Sequence, residues 1–100
     1  MIDKLQKILK NYLSITEQMA NPDIISNIAE YSRLAKEHRK MSETVMLAKE
    51  YIKIYDQIQE DEEILIGEDL ELKEIVKEEL GDLKQKLEFL KEKIKLLLLP

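Results

Sequence analysis

The sequence predicts an all-α protein: an elongated antiparallel helical hairpin of two long helices, with a shorter N-terminal helix packed alongside. Three observations predict it. Among 100 residues, 37% are charged and 5% aromatic, with two glycines and two prolines. That is the bias of long helices and coiled coils, not of a sandwich or barrel. Only two stretches, MANPDII and LIGEDLEL, interrupt a helical pattern of apolar residues. Finally, Val76, Leu80, Leu83, Leu87, Leu90, Ile94 and Leu97 alternate at spacings of four and three, a heptad stripe over three repeats. One Phe, no Trp and four Tyr suit a thin seam between paired helices better than a thick core. One hundred residues make a single helical domain, 1–100, at most.

Helix one is expected over 2–19, with Leu5, Ile8, Tyr12, Ile15 and Met19 on one face. Asn21 is a good N-cap and Pro22 suits the first helical position, where its missing N–H costs nothing. The residue before a proline also avoids the helical region, which ends the preceding segment. Helix two is expected over 22–65, its face running Ile24, Ile28, Tyr31, Ala35, His38, Ser42, Val45, Ala48, Ile52 and Tyr55. Gly67 can close it by taking the left-handed conformation. Asp69 can then cap helix three, over 70–98. At about 1.5 Å per residue, helix two is about 60 Å long and helix three about 40 Å. The short connection at 66–69 forces the two antiparallel. Gly81 lies inside helix three, where it costs about 1 kcal/mol relative to Ala. It reads as a close-packing position or as a tolerated weak point.

The net charge of −5 is unevenly spread. Residues 1–55 hold seven acids and nine bases, and residues 81–100 hold three acids and five lysines. Residues 56–79 hold eleven acids against Lys73 and Lys77 alone, a local charge of −9. The acidity therefore gathers at the turn between the two long helices. Glu60, Asp61, Glu62, Glu63, Glu68 and Asp69 are the candidate partner-binding residues, a solvated negative tip suited to a basic partner.

Little else carries chemistry. There is no cysteine, which excludes disulfides, thiol nucleophiles and zinc fingers and fits a reducing compartment. The N-terminus MIDKLQKILK has no secretory apolar region, and no stretch approaches a membrane span, so a cytoplasmic location is expected. His38, the single histidine, falls on the apolar face of helix two and reads as a packing residue, with no second His or Cys to complete a metal site. The acidic run does not match a calcium loop: Glu60 to Glu63 are consecutive and Gly67 comes too late. Two isolated glycines give no phosphate cradle. Arg33, Lys36, Arg39 and Lys40 form the one basic cluster, which reads as a solvated face and not as a nucleic-acid site. No catalytic, metal or cofactor site is expected, and the protein is read as a non-enzyme that acts by contact.

Three segments point further. LAKEHRKMSETV (Leu34 to Val45) resembles a pattern in bacterial class-1 peptide chain release factors: Leu, Ala or Ser, Lys or Arg, Glu, Tyr or His, two variable residues, Leu or Met, then Ser. ELKEIVKEEL (Glu71 to Leu80) is similar to the start of the third long helix of that family's N-terminal domain. KLLLLP, ending at Pro100, is similar to the leucine run and proline at which that domain hands over to the next, and it favours the UAA- and UAG-reading type. The resemblance covers essentially the whole chain.

This resemblance implies an N-terminal ribosome-docking domain of a translation termination factor, whose chain continues beyond Pro100. The parent activity would be stop-codon recognition and peptidyl-tRNA hydrolysis. The family's Gly-Gly-Gln and Pro-x-Thr elements have no counterpart here, so no catalytic residue carries over. The implied partners are the stalk base of the large ribosomal subunit, the recycling GTPase release factor and the glutamine methyltransferase. Two other readings compete: a free-standing coiled-coil adaptor or chaperone-like protein, and a fragment that dimerises artefactually through exposed leucines.

Overall fold

Asn21 and Pro22 end one helix and begin another. In the computed structural model, which describes residues 1–100, α1 runs Ile2–Met19 and α2 runs Pro22–Ile25. Two long helices follow, α3 over Ile28–Ile66 and α4 over Leu70–Leu97. There are no strands. Asn21 adopts an extended backbone, and its side chain accepts from the Asp23 N–H at 3.0 Å. The preceding turn closes with Asn21 N–H donating to Gln18 C=O at 3.1 Å.

Where one helix is expected over 22–65, there are two. The break falls at Ser26–Asn27. The Asn27 side chain accepts from the Glu30 N–H at 3.2 Å, a second N-cap one turn after the first. Asparagine competes with the helical backbone for such bonds, so it starts α3 afresh instead of continuing α2. The apolar stripe of α3 is bare at its start. Ile28 is 82% exposed and Tyr31 is exposed, while Leu34, Val45 and Ala48 are buried. His38 is half-buried, as its place beside that stripe suggests.

The chain divides into two compact units, Met1–Ala48 and Lys49–Pro100, and α3 contributes to both. In the first, α1 lies against the early part of α3. The rings of Tyr12 and His38 stack with centroids 4.2 Å apart, and Thr16 Oγ1 lies 3.0 Å from His38 Nε2. The Thr16 hydroxyl already donates to Tyr12 C=O at 2.9 Å, so it accepts from His38. That fixes the proton on Nε2.

In the second unit, the later part of α3 packs against α4. Tyr51 and Ile58 of α3 are buried, as are Val76, Leu80, Leu90 and Ile94 of the heptad stripe. Each such side chain stabilises by about 1.5–3 kcal/mol relative to exposure. Tyr51 lies near the Glu88 carboxylate, and Glu62 pairs with Lys84 at 3.4 Å. Numbers rise on α3 as they fall on α4, so the two helices are antiparallel. Burial pushes the Tyr51 phenol above its ordinary range, and the Glu88 carboxylate adds to this.

Gly67 does not take the left-handed conformation: no glycine has positive φ. Its N–H donates to Ile64 C=O at 3.1 Å, a tightened last turn. A Cβ there would sit 3.3 Å from the same carbonyl oxygen. Close approach of the backbone, not backbone handedness, therefore favours glycine. At Gly81 a Cβ would meet nothing within 4 Å, which removes the close-packing explanation and leaves a tolerated weak point.

Two substitutions test these assignments in urea denaturation. Gly81→Ala raises stability by about 1 kcal/mol, because it lowers the entropy of the unfolded chain without a clash. Asn27→Ala lowers it by about 1 kcal/mol through loss of the α3 cap.

Candidate interaction surface

The acidic turn is assembled from three pieces: the last turns of α3, residues 67–69, and the first turn of α4. Asp69 starts α4, its carboxylate accepting from the Leu72 N–H at 3.1 Å. With Glu71 in the first turn, both negative charges lie at the positive end of the helix dipole, where they stabilise. The end of α3 is the reverse. Its last turn holds no basic residue, and Glu60, Glu62 and Glu63 crowd toward the negative end. This arrangement costs local stability.

The six acidic residues singled out from the sequence do not share one environment. Glu60, Glu63, Glu68 and Asp69 are exposed. Glu62 is half-buried and meets Lys84 Nζ at 3.4 Å. Asp61 is turned inward: it is 1% exposed and accepts from Gln57 Nε2 at 2.9 Å. It therefore presents nothing to a partner. Asp61 falls three residues after Ile58 and four before Leu65, on the stripe facing α4, and that spacing explains its burial.

Apolar side chains share this surface, which the charge pattern alone hides. Ile66 is 85% exposed and Leu70 is 75% exposed, and Ile75 is exposed as well. Leu70 and Ile75 lie outside the phase of Val76 and Leu80, so the α4 seam cannot cover them. The turn therefore presents apolar knobs among carboxylates, a surface that combines burial with charge.

The basic cluster of α3 is partly neutralised. Arg33 is held by the carboxylates of Glu30 and Glu37. Its hydrogen bond keeps the Glu30 carboxyl below the usual range. Arg33, Lys36 and Lys40 line a shallow open groove with Ala29, Ser32 and Glu37. All six lie on α3 alone, so the groove has no second wall. No three His, Asp or Glu groups are placed to hold a metal ion, and no helix is long and apolar enough to cross a membrane.

Residues 8–100 match the PCRF domain family. The chain belongs to that family. The matched span contains the whole acidic turn and both long helices. Peptide chain release factor 1 of Syntrophus aciditrophicus is 37% identical over 100 residues, covering all of this chain and 28% of its own length. The protein of that name from Caldicellulosiruptor bescii is 41% identical over 103 residues, and that from Clostridioides difficile 38% over 101; each covers all of this chain and 28% of its own length. This PCRF chain thus spans less than a third of the curated relatives it matches. No solved structure matches it.

The Glu62–Lys84 pair is solvent-facing on both sides, so Lys84→Ala costs under about 1 kcal/mol, and the loss shrinks further in high salt. Urea midpoints at low and high ionic strength check this.

Proposed function

We propose that this chain is the N-terminal ribosome-docking domain of a translation termination factor. The factor reads UAA and UAG and triggers hydrolysis of peptidyl-tRNA through elements that lie outside these 100 residues. The PCRF match over residues 8–100 carries the reading. Whole-chain similarity to proteins named peptide chain release factor 1, at 37–41% identity, supports it.

The docking face is the acidic turn. Glu60, Glu62, Glu63 and Glu68 supply the charge, with Asp69 fixing the start of α4. The partner is a basic protein surface at the stalk base of the large ribosomal subunit. The crowding of acids at the wrong end of the α3 dipole supports this, since it lowers stability and is best explained by contact. Ile66, Leu70 and Ile75 supply the apolar area that charge alone lacks. Electrostatic attraction then speeds encounter and sets orientation, and burial holds the contact. On this reading the recycling GTPase and the glutamine methyltransferase are further partners of the same domain.

Combined charge reversal at Glu60, Glu62 and Glu63 to Lys in a full-length factor carrying this domain tests the assignment. Ribosome-dependent peptide release should fall several-fold at moderate salt, with the deficit narrowing as salt rises, because screening weakens the wild-type attraction too. Circular dichroism and the urea midpoint confirm that the fold is kept. Release unchanged at every salt concentration removes the turn from the docking face.

A further inference from the structure

We propose that a second copy of this chain docks on the outward face of α4, the two α4 helices lying antiparallel about a two-fold axis. That face carries a stripe separate from the seam with α3. Ile75, Asp82, Phe89 and Leu96 are spaced by seven, so they run nearly in one line along the helix. Ile75, Phe89 and Leu96 are each more than half exposed, and Asp82 is exposed as well. Nothing within the chain covers them. Large apolar side chains aligned on one exposed helix face mark contact.

Charge says what covers them. Glu78 and Asp82 accompany Ile75 in the first half of the stripe, and Lys86 and Lys93 accompany Phe89 and Leu96 in the second. All four charged side chains are exposed, and none makes an ion pair within the chain. The Lys93 ammonium sits over the Phe89 ring, 4.7 Å from its centroid, which holds a cation beside the aromatic knob. The stripe therefore has an acidic half and a basic half, each with apolar side chains of its own. The two halves complement each other. They cannot meet in one chain, because about 22 Å of helix separates Glu78 from Lys93. A second copy, turned end for end, brings them together.

Complementarity also sets the register. With the two-fold axis passing between Gln85 and Lys86, Ile75 faces Leu96 of the second copy and Glu78 faces its Lys93. Asp82 lies over its Phe89, one turn from its Lys86. Each contact occurs twice, as a two-fold pairing requires. One like-charge meeting, Glu79 opposite Glu92, is eased by Lys95, which already holds Glu92 at 3.5 Å. Val76, Leu80, Leu90 and Ile94 stay buried in the seam. Few apolar side chains take part, so the pair belongs with the small, transient interfaces below about 1,200 Å². The pairing uses α4 alone and stands apart from the docking reading of the turn.

Sedimentation equilibrium of the 100-residue chain over a range of concentrations tests this. The expected result is a reversible monomer–dimer equilibrium whose Kd rises several-fold with added salt. Phe89→Ala should raise the Kd about tenfold with the helical circular dichroism unchanged. Glu78→Lys and Lys93→Glu should each raise it several-fold, because like charges then face each other, and the double variant should return it toward wild type. A monomer at every concentration overturns the proposal. So does a dimer whose Kd ignores both single charge variants, or a double variant weaker than either single one. Larger assemblies indifferent to salt would also overturn it, since they would show non-specific association through exposed leucines.

Discussion

Everything distinctive in the second unit depends on α4 lying antiparallel against the later part of α3. The stripe of Val76, Leu80, Leu90 and Ile94 has no other role than to be covered, and Tyr51 and Ile58 help to line the contact. Burial of that kind is the largest favourable term available to a chain with one Phe and no Trp. It has to outweigh the repulsion of eleven acids within residues 56–79. Folding back is also what concentrates those acids: Glu60 to Glu63 at the end of one helix and Glu68 to Glu71 at the start of the next become one surface.

The acids divide into groups that help the fold and groups that strain it. Asp69 caps α4 and Glu71 lies with the dipole. Glu62 is offset by Lys84. Glu60 and Glu63 have neither compensation, and Asp61 is buried with one carboxylate oxygen unpartnered. A chain selected for stability alone would place lysine at the end of α3, where none is found. The exposed Ile66 and Leu70 beside these acids point the same way, since large apolar side chains grouped on a surface mark contact.

Local chemistry made much of this legible from residues alone. The α1 span, the Asn21–Pro22 boundary and the Asp69 cap follow from rules that act within three or four residues. The α4 stripe follows from a repeat strong enough to resist context. Three features escaped for separate reasons. Asn27 suits a helix interior poorly but not prohibitively, and only the preceding short turn of α2 lets it act as a second cap. Ile28 and Tyr31 share the stripe of the buried Val45 and Ala48 but lie exposed at its start. Gly67 is favoured by the nearby Ile64 carbonyl, a distance no composition rule supplies. Asp61 was legible in principle: its spacing from Ile58 and Leu65 puts it on the buried stripe, but its acidic neighbours masked that phase.

Membership of the PCRF family sets the frame in which an acidic, apolar-studded turn makes sense, and that turn exists only if α3 and α4 fold back on each other. Spin labels at positions 62 and 84, introduced as the sole cysteines, test this most directly. The side chains there meet at 3.4 Å, so the labels should report a separation well under half of the about 33 Å that one continuous helix would impose at about 1.5 Å per residue. A distribution centred near the longer distance would contradict the antiparallel pairing, and with it the acidic surface.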